Sequence, residues 1–456
     1  MRRVVKGSRI RIIITIIVVV LTTLLTGCTG KEPNEIAYVV ALGIDSTDDD
    51  NYKITIQYAN TTQISGGASE SGGKAGSEIV DNVTIEAPNI YAGVGLANNI
   101  VSKSFSMSHA KLIVFSKEIA EKGVKDMIET LVRSEEIRPD VFIAVANTTA
   151  NDYLTSVNPE MEVNPAQYYQ LIYQKNQLVG IPDGQLREFF TGLYTDNYDS
   201  ILPVAGVIEG AGGNSQNDDK GQSKDGQNEG SEGSSESLDS FESKSSDDKD
   251  ENEKEKDAEK NTSKYEYDIK NYVGGETAIE KKNKAEAIGA AVFEKDKMVG
   301  ELGEVETEIC KILKGDYTYS YLTYYNNDTP DIPITVKTTQ QKKPKYKIDT
   351  DKKTVDIELY IESDLYSLPA DYNVENKIED FERDVANYTS SACTEFINNF
   401  TKKYNSDILK LNEKVKYKFL TNNQYNWFKK NVGWSEYKFS VCTNFKVRRT
   451  GLIVRE

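Results

Sequence analysis

The chain has 456 residues, of which 38% are hydrophobic and 28% charged, and its formal net charge at pH 7 is −17. This length exceeds the roughly 250–300 residues that one hydrophobic core supports, so more than one domain is expected. The acidic balance repels phosphate backbones and excludes nucleic acid as a partner. Four cysteines and one histidine offer little for a zinc site or a histidine-dependent active site. We therefore expect no cofactor, no metal site and no catalytic residue.

Residues 1–27 are typical of a bacterial export signal. Five basic residues precede or open an apolar run over residues 12–25, and no acidic residue occurs before Glu32. The run is shorter than the roughly 17–25 residues needed to span a bilayer, so a cleaved signal is favoured over a permanent transmembrane helix. It ends in Leu25-Thr26-Gly27-Cys28, which resembles a lipobox. We predict cleavage before Cys28 and a lipid anchor of acyl chains on its thiol.

The first folded elements are predicted to be a β-hairpin. Residues 36–42 form an apolar run, residues 52–58 alternate between apolar and polar side chains, and an aspartate-rich turn separates them. The turn covers residues 46–51, and Asp45 precedes it. The spacing of Asp45, Asp48, Asp49 and Asp50 is not that of an EF-hand calcium loop, whose glycine and distal glutamate are missing. We therefore predict a solvated turn and no calcium ligand.

A crossover unit is predicted next along the chain. Apolar strands over 111–115 and 141–146 flank a single amphipathic helix over 118–133, which favours a mixed sheet over a pure β-sandwich. His109 stands just before the first of these strands. Because no second histidine or cysteine accompanies it, we interpret it as a structural hydrogen-bonding residue.

Residues 211–264 differ sharply in composition from the rest of the chain. They contain 16 acidic and 8 basic residues but only four apolar ones. Such a stretch buries too little apolar surface to offset the entropy of ordering it, so we predict a disordered insert. Strand-like residues on both sides, 201–208 and 285–299, suggest a small middle domain that the insert interrupts.

The C-terminal part predicts several strands, a long helix and a final strand over 439–447. Apolar residues recur every three or four positions from 378 to 400, which indicates one buried stripe along about seven helical turns. We expect this helix to lie beside the final strand with Phe396 and Phe445 buried and Glu382 on its polar side. Cys310, Cys393 and Cys442 are predicted to be buried free thiols, although a disulfide among them stays open outside the cytoplasm.

These elements predict an α+β protein with three mixed α/β domains whose sheets are mostly antiparallel or mixed. The N-terminal domain is expected over residues 28–200, the middle domain over 201–299 and the C-terminal domain over 300–456.

Several segments of the chain together resemble one protein family. They are the opening strand over 35–45, Ser108-His109-Ala110-Lys111, residues 123–133 with Arg138-Pro139-Asp140, Ala291-Val292-Phe293, residues 297–302, Tyr404-Asn405-Ser406-Asp407-Ile408, the helix that contains Trp427, and residues 447–452. In this order they are similar to the Ger(x)C family, the lipid-anchored C subunits of nutrient germinant receptors in spore-forming bacteria. The acidic insert is an addition to the family pattern.

The resemblance implies a non-enzymatic lipoprotein subunit that spores need for germination in response to small nutrients. It also implies a three-domain mixed α and β fold on the outer face of the spore inner membrane, assembled with two integral membrane subunits. One alternative is the solute-binding lipoprotein of a transporter, which requires two doubly wound lobes around a ligand cleft. Another is a lipid-anchored wall hydrolase, which requires a carboxylate pair or a metal-ligand cluster in a cleft.

Overall fold

A nine-stranded sheet, here called the large sheet, forms the first part of the fold. The computed structural model describes residues 13–17, 35–49, 51–59, 80–158, 162, 164–174, 180–195, 197–208, 271–277, 283–325, 333–367 and 377–450. The strands of the large sheet are β1 (Ile36–Ser46), β2 (Tyr52–Ala59), β3 (Val80–Ala87), β4 (Ser104–Ser106), β5 (Leu112–Ser116), β6 (Phe142–Ala146), β7 (Ile201–Val207), β8 (Ala285–Glu294) and β9 (Lys297–Leu302). They lie in the order β3-β2-β1-β5-β6-β7-β8-β9, and β4 pairs with β1.

Strand β1 occupies the middle of the large sheet because its side chains are apolar on both faces. Every residue from Val39 to Asp45 is buried, as expected for a strand that is covered on both sides. It pairs antiparallel with β2, which confirms the predicted hairpin, and parallel with β5. Strands β5, β6 and β7 continue in parallel, whereas β8 and β9 are antiparallel. The predicted mixed sheet and the α+β class are therefore confirmed.

Six helices pack around these strands: α1 (Ile90–Ala97), α2 (Lys117–Lys122), α3 (Lys125–Val132), α4 (Ala150–Ser156), α5 (Pro165–Gln174) and α6 (Leu186–Thr195). The single helix predicted over 118–133 is wrong, because the chain forms two helices separated at Gly123. This glycine has a φ of 124°, and a Cβ atom there would lie 2.7 Å from a carboxylate oxygen of Asp296. A side chain is therefore excluded at this break.

Asp45, which precedes the predicted solvated turn, lies at the end of β1 and is buried rather than solvated. Its carboxylate accepts hydrogen bonds from the backbone N–H groups of Ala150, at 2.6 Å, and Asn151, at 3.0 Å. Both donors belong to the first turn of α4, where helical N–H groups lack partners within the helix. Asp45 thus attaches α4 to the end of the central strand, and its burial raises its pKa.

Strands β7, β8 and β9, which the sequence assigns to a middle domain, hydrogen-bond into the large sheet. Residues 211–264, the predicted disordered insert, lie outside the described residues. The elements of both sheets belong to one compact unit, residues 1–209 and 271–456. The domain boundaries at residues 200, 299 and 300 stay predictions.

The second part of the fold is a five-stranded sheet, here called the small sheet. Its strands are β10 (Tyr319–Tyr325), β11 (Pro333–Thr339), β12 (Lys345–Asp349), β13 (Thr354–Ser367) and β14 (Lys438–Arg449). Around it lie α7 (Glu304–Lys314), α8 (Ile378–Lys403), α9 (Leu411–Val415) and α10 (Asn422–Asn431). The long strand β13 pairs antiparallel with β11 and β12 and parallel with β14.

Helix α8 runs along β14 and supplies side chains that hydrogen-bond to its backbone. The Asn398 side chain accepts from the N–H of Phe439 at 3.1 Å and donates to its carbonyl at 3.0 Å. Further acceptors are Thr394 for the N–H of Val441, Ser390 for that of Thr443 and Glu382 for that of Val447. From Asn398 to Thr394 to Ser390 the helix advances about 6 Å at each step of four residues. From Phe439 to Val441 to Thr443 the strand advances about 6.6 Å at each step of two residues, so the side chains and the backbone N–H groups stay aligned.

This arrangement confirms that α8 lies beside β14 but overturns one expectation. Phe381, Phe396 and Phe445 are buried, as the predicted stripe requires. Glu382, however, is not on a solvated face, because its side chain is only 12% exposed and contacts both Lys446 and the N–H of Val447. Its carboxylate helps to cover the backbone of β14. Without α8, this edge strand would expose unpaired backbone groups.

The structure holds three cysteines as thiols. Cys310 and Cys393 are buried, as predicted, and burial raises the pKa of each, to about 11 and about 12. Cys442 is exposed, so its predicted burial is wrong. The alternation of β14 explains the difference, because Phe439, Val441 and Phe445 point to the core and Cys442 occupies the opposite face.

Replacing Asn398 by alanine is expected to destabilise the protein by about 1–3 kcal/mol, because the backbone groups of Phe439 lose both partners. The matched control is Asn399→Ala, which changes an exposed neighbour on the same helix. Urea unfolding followed by circular dichroism measures both. Equal unfolding midpoints for the two variants would show that the side-chain contacts to β14 contribute nothing.

Candidate functional site

A polar cleft of about 330 Å³ lies where elements of the large sheet meet the segment that follows α8. The large sheet contributes Tyr198 and Asp199, just before β7, and the turn between β8 and β9. The opposite wall consists of residues 404–407 and the segment from Lys429 to Ser435. Four separate parts of the chain therefore converge on one site.

Asp407 organises one wall of this cleft. Its side chain is buried, and its two carboxylate oxygens accept from the backbone N–H groups of Leu411 and Asn412, each at 2.8 Å. These donors lie in the first turn of α9, where a carboxylate compensates unpaired N–H groups and the helix dipole. Burial raises the pKa of Asp407 to about 7, although both hydrogen bonds oppose the shift. Asp407 is thus a buried carboxylate that binds the start of a helix.

Asp199 joins this wall to the large sheet. One of its carboxylate oxygens accepts from the N–H of Lys295 at 2.8 Å, and the other accepts from the N–H of Asp407 at 2.8 Å. The N–H of Asp199 in turn donates to the carbonyl of Asp407 at 3.2 Å. Two aspartates that are 208 residues apart are therefore connected through backbone groups.

Lys410 extends the junction toward α6. It adopts a left-handed backbone with φ of 56°, which is uncommon for a residue other than glycine. Its ammonium group lies 3.0 Å from a carboxylate oxygen of Glu188 and 4.2 Å from the ring centre of Tyr198. The hydroxyl of Tyr198 donates to Glu188 as well. An ion pair and a cation–π contact hold this strained residue over the large sheet.

Helix α10 closes the cleft from the other side. Its Tyr425 hydroxyl donates to the side-chain oxygen of Asn197 at 3.1 Å, and Lys429 donates to the same atom at 3.1 Å. The indole N–H of Trp434 donates to the side-chain oxygen of Asn412 at 3.2 Å. Residues from both parts of the fold therefore share one hydrogen-bond network.

The polar side chains of the cleft bond mainly to backbone groups and so join two parts of the protein. Asp199 and Asp407 are engaged by backbone N–H groups, and the hydroxyl of Ser406 donates to the carbonyl of Phe293 at 2.9 Å. The lining contains neither histidine nor cysteine, and the described part of the chain holds no cluster of metal-ligating side chains. This arrangement orients two parts of the protein and offers polar side chains to a partner or solute.

The sequence points to the segment 404–408 but not to its role. The motif lies in the cleft wall, yet the pairing of Asp407 with Asp199 depends on tertiary contacts that residue spacing does not reveal. His109 lies elsewhere, where its ring contacts Ser108 at 3.0 Å and the edge of Tyr38 with ring centres 4.9 Å apart. Cys28 lies outside the described residues.

None of the helices that the structure describes is both long and apolar enough to cross a membrane.

Comparison with known proteins identifies both halves of the chain. The family model described as "Spore germination protein N-terminal domain" matches residues 30–207. The model described as "Spore germination B3/GerAC like, C-terminal" matches residues 288–451. The two models flank the acidic insert and follow each other in the order of the fold.

Curated relatives agree with these models. Spore germination protein KC of Bacillus subtilis (strain 168) is 26% identical over 174 residues, which are 35% of this chain and 42% of the relative. The putative spore germination protein YfkR of the same organism is 28% identical over 145 residues, 32% of this chain and 37% of the relative. The chain thus spans about two fifths of the length of these relatives. A crystal structure of the GerBC protein aligns with 89% of this chain and 96% of its own, at 15% identity and a TM-score of 0.48.

The fold and the cleft define an α+β protein in which two sheets are joined through a network of carboxylates and backbone N–H groups. The matches at both ends of the chain assign it to a family. This chain belongs to the Ger(x)C family of spore germination proteins.

Asp407→Asn is expected to change how stability depends on pH. The proton of Asp407 is held more tightly in the folded protein, where the pKa is about 7, than in the unfolded chain, where the pKa is near 3.8. The contribution of this residue to stability is therefore greatest below about pH 4 and declines as the pH rises to about 7. The free energy of unfolding of wild type relative to Asp407→Asn should fall across that window, by about 1.4 kcal/mol per pH unit.

Urea unfolding at a series of pH values measures this difference. The control is Asp351→Asn, which makes the same substitution at an exposed aspartate in the turn between β12 and β13. A constant difference between wild type and Asp407→Asn from pH 4 to pH 8 would contradict the assigned role.

Proposed function

We propose that this chain is a non-enzymatic lipoprotein subunit of a nutrient germinant receptor, which spores need to respond to small nutrients. The observation that carries the proposal is the match of both family models, one on each side of the acidic insert. The names of the relatives describe spore germination proteins, which agrees with this role. The receptor is proposed to contain two integral membrane subunits as partners.

The proposed location is the outer face of the spore inner membrane, with Cys28 as the acylated N-terminus. The support is the sequence Leu25-Thr26-Gly27-Cys28 after a short apolar run. Two acyl chains suffice for stable anchoring, whereas one alone is marginal. Strand β1 begins at Ile36, so eight residues, 28–35, lie between the proposed anchor and β1.

The geometry favours this role over the alternatives. A transporter's solute-binding lipoprotein contains two doubly wound lobes, whereas the described strands form one large mixed sheet and one small sheet that is mostly antiparallel. A hydrolase needs carboxylates that are free to act on a substrate. In the cleft, the carboxylates of Asp199 and Asp407 accept hydrogen bonds from backbone N–H groups instead. These features support a scaffold that binds partners.

Cys28→Ala is expected to release the chain from the membrane, because the acceptor thiol for the acyl chains is lost. The matched control is Cys442→Ala, which removes an exposed thiol elsewhere. Membrane and soluble fractions of spores, washed with carbonate and probed for a tagged chain, measure the change. Equal retention of Cys28→Ala and wild type would contradict the lipid anchor.

A tagged wild-type chain, solubilised from spore membranes in mild detergent, is expected to co-purify with two integral membrane proteins. Spores without the chain should lose their response to the cognate nutrients and still germinate with a receptor-independent trigger. Purification without integral membrane proteins, or an unchanged nutrient response in every mixture of amino acids and sugars, would contradict receptor membership.

A further inference from the structure

Three large side chains near α10 are exposed to an unusual degree. Leu420 is 94% exposed, Tyr417 78% and Trp427 64%. Leu420 and Trp427 line one open depression together with Lys418 and Asn423. We call Tyr417, Lys418, Leu420 and Trp427 the Trp427 patch. Exposed apolar side chains of this size, grouped within eleven residues, mark a contact surface.

The Trp427 patch has a rigid base. Beneath it Phe419, Tyr425 and Phe428 form ring contacts with centres 5.0–5.9 Å apart, and Phe428 continues to the buried Trp434. The hydrogen bonds of Tyr425 and Lys429 to Asn197 then attach α10 to the large sheet. The apolar groups are thus presented by a fixed element.

The sequence that carries the patch is basic, whereas the chain as a whole is acidic, although Asp349 lies near Lys418. The whole chain has 72 acidic and 55 basic residues, but residues 414–435 contain five lysines and no acidic residue. Among these, Lys416, Lys418 and Lys430 are exposed. Lys430 lies on the same face of α10 as Trp427, three residues further along. The next acidic residue, Glu436, pairs with Lys353.

The helix that carries Trp427 contacts the large sheet near the end where β1 begins, because Tyr425 bonds to Asn197 just before β7. Strands β1, β5, β6 and β7 are parallel, so all four begin toward the same end of the sheet, with the start of β5 opposite Ala41 of β1. Ile36 begins β1 at that end of the sheet. Asn197, which accepts a hydrogen bond from Tyr425 of α10, lies in the loop that leads into β7 at the same end. Three strand spacings separate β1 from β7, about 14 Å, and the linker 28–35 reaches at most about 28 Å.

We propose that the Trp427 patch docks the C-terminal part of this protein on the surface of an anionic phospholipid bilayer. Tryptophan and tyrosine favour the headgroup region, leucine enters the acyl boundary, and lysines bind anionic headgroups. Two observations favour a bilayer as the occupant, namely this charge complementarity and the contact of α10 with the large sheet near the end where β1 begins. The second of these rests on the proposed Cys28 anchor, whereas the binding itself does not.

The test uses the mature chain, residues 28–456, with Cys28→Ser so that no acyl chain contributes. It is mixed with vesicles of equal parts phosphatidylglycerol and phosphatidylcholine, or of phosphatidylcholine alone. We expect sedimentation with the anionic vesicles only and a loss of binding at high salt. The tryptophan emission should shift to shorter wavelength and be quenched by brominated lipid, because Trp427 enters the bilayer while the buried Trp434 supplies a constant background.

Leu420→Ser with Trp427→Ser should weaken binding to anionic vesicles at least tenfold, with unchanged circular dichroism. The matched control, Leu96→Ser with Ile100→Ser, removes a pair that is 48% and 69% exposed on another helix end and should bind like wild type. No binding by wild type, or equal losses in both variants, would overturn the proposal. The proposal is also wrong if wild type does not sediment with vesicles and the patch variant no longer co-purifies with the integral membrane proteins. The patch would then be a protein contact. Because the acyl site is absent throughout, the outcome is independent of the Cys28 experiment.

Discussion

The burial of Asp407 is the constraint on which the relation between the two sheets depends. A buried carboxylate requires hydrogen bonds. The N–H groups at the start of α9, which have no partner within the helix, donate to Asp407. The backbone of the same residue bonds to Asp199, which also holds the turn between β8 and β9. Satisfying one buried charge therefore aligns the start of α9, the entry to β7 and a hairpin of the large sheet. A scaffold protein gains a defined surface from such a junction.

A second requirement, the pairing of a sheet edge, determines how α8 is used. Strand β14 has β13 on one side, and its other side would present unpaired backbone groups. Helix α8 supplies Glu382, Ser390, Thr394 and Asn398 at intervals of four or eight residues to meet that edge. Polar residues within a long amphipathic helix are therefore structural, and the strand is shielded from pairing with other chains.

Charge is distributed unevenly over the protein, and this distribution bears on its proposed place at a membrane. The net charge of −17 favours solubility and keeps the chain away from anionic surfaces on average. Lysines concentrated around α10 reverse this effect locally, beside exposed aromatic and aliphatic side chains. A covalent anchor at one point restricts position but not orientation, whereas a second contact would orient the cleft and the small sheet relative to the bilayer.

Residue order alone predicts the class of the fold, the hairpin, the crossover strands, the buried stripe of α8 and the family. These features depend on periodicity and on local motifs, which residue order contains directly. The helix break at Gly123 and the burial of Asp45, Asp407 and Glu382 depend on contacts that form only in the folded chain. Gly123 divides a continuous helical pattern because its φ of 124° is not helical and the N–H of Val124 bonds to the carbonyl of Asp296. Asp45 and Asp407 carry polar side chains yet are buried, because a distant helix and a following helix supply their N–H partners. The position of Glu382 in the helical pattern is typical of a solvated face. In the folded chain β14 lies against that face, and the N–H of Val447 donates to the Glu382 carboxylate.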